Sequence, residues 1–247
     1  MALKIGQITD EKDLKGLYRL RFKVYCMECK YENPDKYEDG IVSDLYDENA
    51  VNLAVKDDAQ KIVGGVRLIL DSEAGFPTEN FCEIDKKTPR TSIAEISRLV
   101  IHRDYRRRSE DKYIYGPDEE RRSIGSFDYE YSYSQRAYSR RSDDRYKQNS
   151  RRVNGVVQDR RARHDIVSSL FKELYQESKR RNITHWYSLM TQGIFNLLAR
   201  YGLGFESMGE PVDYYGIRTP YLGDIKKIEQ IMEEKNPAML EEYRRGL

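Results

Sequence analysis

The sequence predicts an α/β fold, one mixed β-sheet sandwiched by helices. Two observations predict it. Short alternating apolar runs are separated by runs at helical spacing, in the order βα, β-hairpin, β, then α, β, α, β. A polar stretch over about 103–163 interrupts this series after the fourth strand and dilutes the composition of an otherwise ordinary domain. Hydrophobic residues make up 38% of the chain, and that figure includes 20 tyrosines. With Tyr left out and Gly counted, the apolar share is about 36%, against roughly 45–50% in a typical globular domain.

Residues 3–8 read as a short strand. Thr9 or Asp10 then offers an N-cap with acidic residues behind it. Leu14, Leu17, Tyr18, Arg21, Phe22, Val24 and Tyr25 continue at near-helical spacing, which predicts an amphipathic helix over 11–29. Residues 30–48 are acidic, carry Pro34 and Gly40, and suit an ordered loop or a flexible flap. Residues 51–56 alternate as a strand, 57–60 turn, and 61–70 return as the second arm of a hairpin. Residues 92–102 form the next strand. Helical spacing resumes after His164 with Ile166, Val167, Leu170, Phe171, Leu174 and Tyr175. A strand over 184–190 follows, then a helix over 193–201 that Gly202 and Gly204 break. Strands are expected over 205–208 and 213–218, and closing helices over 224–234 and 237–245. No internal repeat is visible, and 1–247 reads as a single domain.

Composition excludes several classes. Lys plus Arg total 43 and Asp plus Glu total 42, so the net charge is +1, which argues against a dedicated DNA binder. No apolar run approaches the roughly 20 residues that span a bilayer. Met1-Ala2-Leu3-Lys4-Ile5-Gly6 has no apolar core of a secretory signal. Three cysteines make no disulfide framework, so a reducing, cytoplasmic compartment is expected. The 103–163 segment is rich in Arg, Tyr, Ser and Asp and poor in aliphatic residues, with 17 basic and 11 acidic side chains. Such a stretch buries too little surface to offset its ordering entropy, so it reads as a long, mobile surface insertion. Its Arg/Tyr content also suits contact with anionic lipid or single-stranded RNA, or a plain spacer.

The chemistry lies in charges placed where a core would not need them. Arg21 sits among apolar neighbours in the first helix. Asp44 and Asp47 bracket Leu45-Tyr46. Arg67 interrupts the run Val66 to Leu70, and Glu95 and Arg98 interrupt the run Ala94 to Ile101. A buried charge needs a partner, because leaving it unpaired costs several kcal/mol. Three arginines and three acids on separate segments can therefore converge on one polar network. The alternative is that each strand has one wet face and carries these charges on it.

Four segments in order carry a resemblance. Arg21-Phe22-Lys23-Val24-Tyr25, Asp44-Leu45-Tyr46-Asp47, Gly65-Val66-Arg67-Leu68 and Glu95-Ile96-Ser97-Arg98-Leu99-Val100 resemble the acyl-homoserine-lactone (autoinducer) synthases. The wider chain, over roughly 18–108 and 165–222, is similar to the N-acyl amino acid synthase branch. It resembles most the acyltransferases associated with PEP-CTERM/exosortase systems. Ile183-Thr184-His185-Trp186-Tyr187, Pro211-Val212-Asp213-Tyr214-Tyr215-Gly216 and Arg218-Thr219-Pro220-Tyr221-Leu222 fit that branch.

The resemblance implies the GNAT fold and transfer of a fatty acyl group from an acyl carrier protein thioester to the amine of an amino acid or similar small molecule. It implies Glu95 as the base that takes the amine's proton, with Asp44 and Asp47 as helpers. Arg67 and Arg98 would fix those carboxylates or grip the acceptor's own carboxylate. Arg21, Ser97, Leu99 and Val100 would line the substrate site, with oxyanion donors from a splayed strand beside Leu99-Val100. A CoA-using GNAT has a Gly-rich pyrophosphate turn, whereas residues 100–108 have arginines and no glycine. That favours acyl-phosphopantetheine over acyl-CoA as donor, its phosphate meeting Arg103, Arg106, Arg107 or Arg108. The basic loop would also steer an acidic carrier protein. Tyr201, ahead of Gly204-Phe205, is the candidate acid for the thiolate. No permanently bound cofactor or metal is expected, since Cys26-Met27-Glu28-Cys29 lacks a second ligand pair. A CoA-dependent transferase and a non-catalytic binding module with an Arg/Tyr-rich arm remain as alternatives, as does peripheral membrane contact.

Overall fold

The computed structural model describes residues 3–84, 90–105 and 160–247. The chain starts at a sheet edge. β1 (Lys4–Gln7) runs antiparallel to β2 (Ala50–Lys56), which pairs with β3 (Ile62–Ile69), which pairs with β4 (Ile93–Ile101). β5 (His185–Met190) lies parallel to β4, and β8 (Ile217–Asp224) returns antiparallel to β5. The short strands β6 (Glu206–Ser207) and β7 (Val212–Asp213) both pair with β8. The sheet order is β1-β2-β3-β4-β5-β8-β6, mixed as expected.

Helices cover both faces. α1 (Glu11–Phe22) starts where Asp10, in extended conformation, accepts from Lys12 N. It packs Leu17 and Leu20 against Ala54, Ile62 and Val100. α3 (Arg160–Arg180), α4 (Gln192–Arg200), α5 (Ile225–Lys235) and α6 (Pro237–Arg244) pack on the opposite face. There Ile166, Leu170, Phe171 and Leu174 of α3 join Ile228, Met232 and Tyr243 against Val51, Leu53, Val55 and Ala94. Two adjacent glycines set how closely the layers approach. A Cβ on Gly65 would stand 2.4 Å from Leu17 Cδ1, and one on Gly64 would stand 3.1 Å from Ile166 Cγ2. β3 is thus pinched between α1 and α3 at its two smallest residues.

Several boundaries differ from expectation. The helix over 11–29 is α only to Phe22 and continues as a π-turn over Lys23–Glu28, with Cys29 N bonded to Val24 O at 2.8 Å. α3 begins at Arg160, inside the segment read as an insertion, and Arg103–Tyr105 form a 3-10 turn. The rest of that insertion lies outside the described residues. A short helix, α2 (Pro77–Phe81), stands where no element was expected, started by its first-turn proline. The strand expected over 213–218 is two strands separated by a turn at Tyr215 and Gly216, both at positive φ. The long β8 was missed because Pro220 and Gly223 read against a strand. Gly223 is required there, since a Cβ would meet the Phe205 ring at 2.7 Å.

Candidate functional site

The site is built on two cross-strand rows of the α1 face. Asn52, Arg67 and Ser97 stand opposite one another across β2, β3 and β4. One step along, Ala50, Ile69, Glu95 and Tyr187 form the next row. The first row is polar and wholly satisfied. Arg67 Nε donates to Ser97 Oγ at 2.9 Å. Its fork grips Asp44, with Nη1 to Oδ1 at 2.6 Å and Nη2 to Oδ2 at 3.2 Å. Arg67 Nη1 also lies 2.9 Å from Asp47 Oδ2. From α1, Arg21 donates to Asp47 Oδ1 at 2.8 Å and to Asn52 Oδ1 at 2.6 Å.

Local structure explains the Asp44/Asp47 spacing. The two form a capping box on the 3-10 turn Leu45–Asp47: Asp44 Oδ1 accepts from Tyr46 N, and Asp47 Oδ2 accepts from Asp44 N, each at 3.0 Å. Each carboxylate thus holds its own turn and presents its outer edge to the arginines. Burial alone would raise Asp44, but the charges and hydrogen bonds of Arg67 and Arg98 outweigh it and hold the carboxyl well below the usual range.

β4 carries a bulge. Its register against β3 slips between Gly65 and Arg67, and Arg98 has φ +55°. Before the bulge Ala94 and Ile96 face the α3 core; after it Leu99 and Ile101 do. The bulge therefore adds Arg98 to the face that already holds Glu95 and Ser97. Arg98 Nη1 donates to Glu32 Oε1 at 2.6 Å and Nη2 to Asp44 Oδ2 at 2.9 Å. Its guanidinium stacks on Tyr25 and Tyr215, at 5.4 and 5.3 Å. Tyr37 donates its hydroxyl to Glu32 Oε2. The 30–48 segment is thus an ordered loop, tied at both ends by arginines.

Glu95 stands apart from this balanced set. It is 1% exposed, between Ile69 and Tyr187 in its row. Its Oε2 accepts from Thr78 N at 2.9 Å. Burial among apolar neighbours raises its carboxyl to about 7, against the opposing pull of Thr78 and Arg67. It is an acid with little preference between its charged and neutral forms near neutral pH, which suits a general base.

The sheet opens beside Glu95. The parallel pairing of β4 and β5 ends at Glu95 and Tyr187. Beyond it, the Ile96 carbonyl accepts from Ser188 Oγ at 3.0 Å and the Leu99 carbonyl from Tyr25 Oη at 3.0 Å. Side chains have replaced the ladder, and the strands part. An apolar cleft of about 600 Å³ occupies the gap and reaches Leu99, Phe171, Ile194, Leu198 and Phe205 on the far face. A polar cleft of about 500 Å³ adjoins it, lined by Glu32, Arg67, Glu95, Tyr214 and Pro77. Tyr25, Tyr31, Ser97, Arg98, Leu189 and Arg218 line both. Arg218 is held by the Ile217 and Tyr215 carbonyls, at 3.0 and 2.9 Å, and lies 4.6 Å over the Tyr31 ring.

The structure therefore converges Arg21, Asp44, Asp47, Arg67, Glu95, Ser97 and Arg98 on one region, and the wet-face alternative fails for them. Arg21 and Arg67 are wholly buried and paired with Asp47 and Asp44, which they orient; Arg21 Nε has no hydrogen-bond partner among the described residues, and Arg67 lines the polar cleft. Leu99 lines the apolar cleft, whereas Val100 is buried in the α1 core. Tyr201 caps the C-terminal end of α4 and packs against the α3-face core, outside the lining of either cleft. Arg103 is exposed and pairs with Asp104. Arg106, Arg107 and Arg108 lie outside the described residues. Glu32, Asn52, Thr78 and Arg218 were missed. An acid in an acidic loop and a threonine in a turn carry no periodic signal that would single them out.

A mixed sheet that parts around a buried carboxylate, with a polar and an apolar cleft meeting there, is an arrangement suited to acyl transfer. Residues 20–115 match the family described as acetyltransferase (GNAT) domain; the sheet and helices have the GNAT fold, and the match supports an N-acyltransferase. Solved structures agree in fold. The AHL synthase LasI superposes with TM-score 0.54 at 16% identity, covering 91% of this chain and 89% of its own. BjaI, a CoA-dependent acyl-homoserine lactone synthase with SAM and isopentyl-CoA, gives 0.59 at 16% identity, covering 94% and 89%. FeeM, an N-acyl amino acid synthase from uncultured soil microbes, gives 0.51 at 10% identity, covering 93% and 94%. No curated protein matches by sequence. Among the described residues, no helix is long and apolar enough to cross a membrane.

Proposed function

We infer that this enzyme moves a fatty acyl group from an acyl-carrier-protein thioester to the amine of an amino acid or a similar small molecule. The observation that supports this reading is the position of Glu95. It lies in the polar cleft, at the point where β4 and β5 part and the apolar cleft begins. The acyl chain occupies the apolar cleft, among Leu99, Phe171 and Ile194. The acceptor occupies the polar cleft, its carboxylate toward Arg218 and its amine toward Glu95. Glu95 takes a proton from the ammonium group, and the nitrogen lone pair attacks the thioester carbon. Backbone N–H groups along the parted edge of β4 receive the oxyanion. The tetrahedral intermediate collapses, the C–S bond breaks, and the second proton of the attacking nitrogen passes to the departing thiolate, with Tyr201 as the sequence-based candidate relay.

A carrier-protein donor fits the glycine-free, arginine-rich sequence after β4. There Arg103, Arg106, Arg107 and Arg108 would meet the phosphopantetheine phosphate and the acidic carrier. We extend the reading to the exosortase-associated N-acyl amino acid synthase branch that the sequence motifs resemble, with action in the cytoplasm and at the membrane face where the product would partition. Thiol release with purified acyl carrier protein or acyl-CoA as donor, over a panel of amino acids, tests this. N-acyl amino acid formation from the carrier-bound donor supports the reading. Turnover with acyl-CoA alone replaces the donor, and no turnover with either removes the catalytic assignment.

A further inference from the structure

Among the described residues Glu95 accepts one hydrogen bond of full geometry, from Thr78 N–H, and Thr78 carries a second polar group. Thr78 is wholly buried in α2, and its N–H donates to Glu95 Oε2 at 2.9 Å. Its hydroxyl Oγ1 is also buried and meets no partner at full hydrogen-bond geometry, although it lies close enough to the Glu95 carboxyl to favour the ionised form. A buried hydroxyl short of a full hydrogen bond is costly, typically about 1–3 kcal/mol, so its presence next to a reacting acid calls for an explanation. The neighbouring Pro77 lines the polar cleft together with Glu95, so α2 forms part of the acceptor wall.

A hydroxyl differs from a backbone N–H in one respect that matters here. It can donate to a carboxylate and, after rotation, accept from a carboxyl. The N–H serves only the ionised form. We propose that Thr78 is a positioning residue for the base, its amide fixing one carboxyl oxygen while its hydroxyl follows the proton on Glu95. Before transfer the O–H donates to the ionised carboxylate. When the ammonium N–H bond breaks and the proton arrives on Glu95, the hydroxyl turns and accepts from the new carboxyl O–H. No atom is exchanged between Thr78 and Glu95. The inference rests on the assignment of Glu95 as base in the proposed reaction.

Near Glu95 the hydroxyl favours the ionised form, and its loss raises the carboxyl further. The other charged or titratable groups facing Glu95 are Arg67 of β3, Glu79 of α2, Cys82 just after it, Tyr46 of the 3-10 turn, Tyr187 of β5 and Tyr214 of the β7–β8 turn. Thr78→Val, Thr78→Ala and Thr78→Ser leave all of these in place.

The test has two readouts on the full chain. The first is the pH profile of kcat/KM for acyl transfer. The second is the titration of the Glu95 carboxyl, followed by isotope-edited infrared spectroscopy with and without Glu95→Gln to assign the band. Thr78→Val is expected to move both the acidic limb and the carboxyl titration upward by about one pH unit. Thr78→Ser is expected to restore both. Thr78→Ala provides a second hydroxyl-free variant should the valine not fold. A hydroxyl-free variant that loses rate with limb and titration unmoved overturns the proposal. A wild-type chain with no acyl transfer removes the functional reading alone, because the infrared titration still decides whether Thr78 acts on Glu95.

Discussion

Arg98 Nη1 lies 2.6 Å from Glu32 Oε1, so a bulge on a central strand is fastened to a surface loop 66 residues away. The contact is buried on both sides, with side chains 9% and 1% exposed. The same guanidinium reaches Asp44. Burial alone would lower Arg98, but the adjacent Glu32 and Asp44 charges hold it firmly protonated. One arginine thus joins the start of the 30–48 loop, its end and the strand that carries Glu95. Arg98→Ala leaves the buried Glu32 carboxylate without its arginine, while Asp44 keeps Arg67, and is expected to cost about 3 kcal/mol in urea unfolding. In a double-mutant cycle with Glu32→Gln, the second substitution should cost much less once the first is made. Simple additivity would show that the pair is not coupled.

Glu95→Gln keeps the shape of the base and removes its basicity. With a carboxyl at about 7, wild-type kcat/KM should fall roughly tenfold per pH unit below that point. The Gln variant should lose at least 100-fold in kcat at pH 7.5 and show no acidic limb there. Full turnover by a folded Gln variant would remove Glu95 as base.

Stability should move in the opposite direction. The native carboxyl at about 7 lies above its ordinary 4.5, so the native state binds this proton more tightly than the unfolded chain. Its contribution is most favourable below pH 4.5 and is lost as pH rises through 7. Above 7 the native state bears a buried charge, a difference of up to about 3 kcal/mol. Glu95→Gln should flatten this part of the stability-pH curve and unfold at higher temperature than wild type at pH 8. A parallel curve would mean that Glu95 is not the titrating group.

Gly65→Ala should cost about 1–3 kcal/mol, because the new methyl meets Leu17 Cδ1 at 2.4 Å and the Leu53 carbonyl at 3.0 Å. Gly64→Ala, whose nearest neighbour is Ile166 Cγ2 at 3.1 Å, should cost less. Thermal denaturation of the two variants side by side checks the ranking.

Ile194→Trp should shorten the acyl chain accepted. Ile194 lines the apolar cleft from α4 and is only partly buried, so a larger ring there fills the space with little disturbance of the core. Mass spectrometry of the product mixture should show the distribution shifted toward shorter acyl groups. An unchanged distribution would place the acyl chain elsewhere.

Much of this was legible in the residues. The charges set into β3 and β4 predicted a buried network, because aliphatic strands do not carry Arg or Glu without partners. The Asp44/Asp47 spacing signalled a paired cluster, although its capping-box role emerged only from the backbone. The bulge at Arg98 was not legible: a positive φ on arginine has no signature in composition, and the change of phase it imposes appears only against β3. Glu32 was hidden for a related reason, since partners 66 residues apart are joined by topology rather than by pattern. The boundaries that slipped, the π-turn after Phe22 and the late strand β8, are places where tertiary packing overrides local preference. Tyr201 shows what motif spacing leaves open, since it is partly buried at the end of α4 and lies outside the lining of the two clefts described.

The parting of β4 and β5 has a kinetic consequence for departure. The apolar cleft crosses the plane of the sheet, from Tyr25 and Tyr31 on one side to Phe171 and Leu198 on the other. A finished amide would sit threaded through that slot, head on one side and tail on the other. It would leave by drawing its tail back between the two strands. Longer products should therefore linger, making dissociation rather than bond formation the slow event for the greasiest substrates.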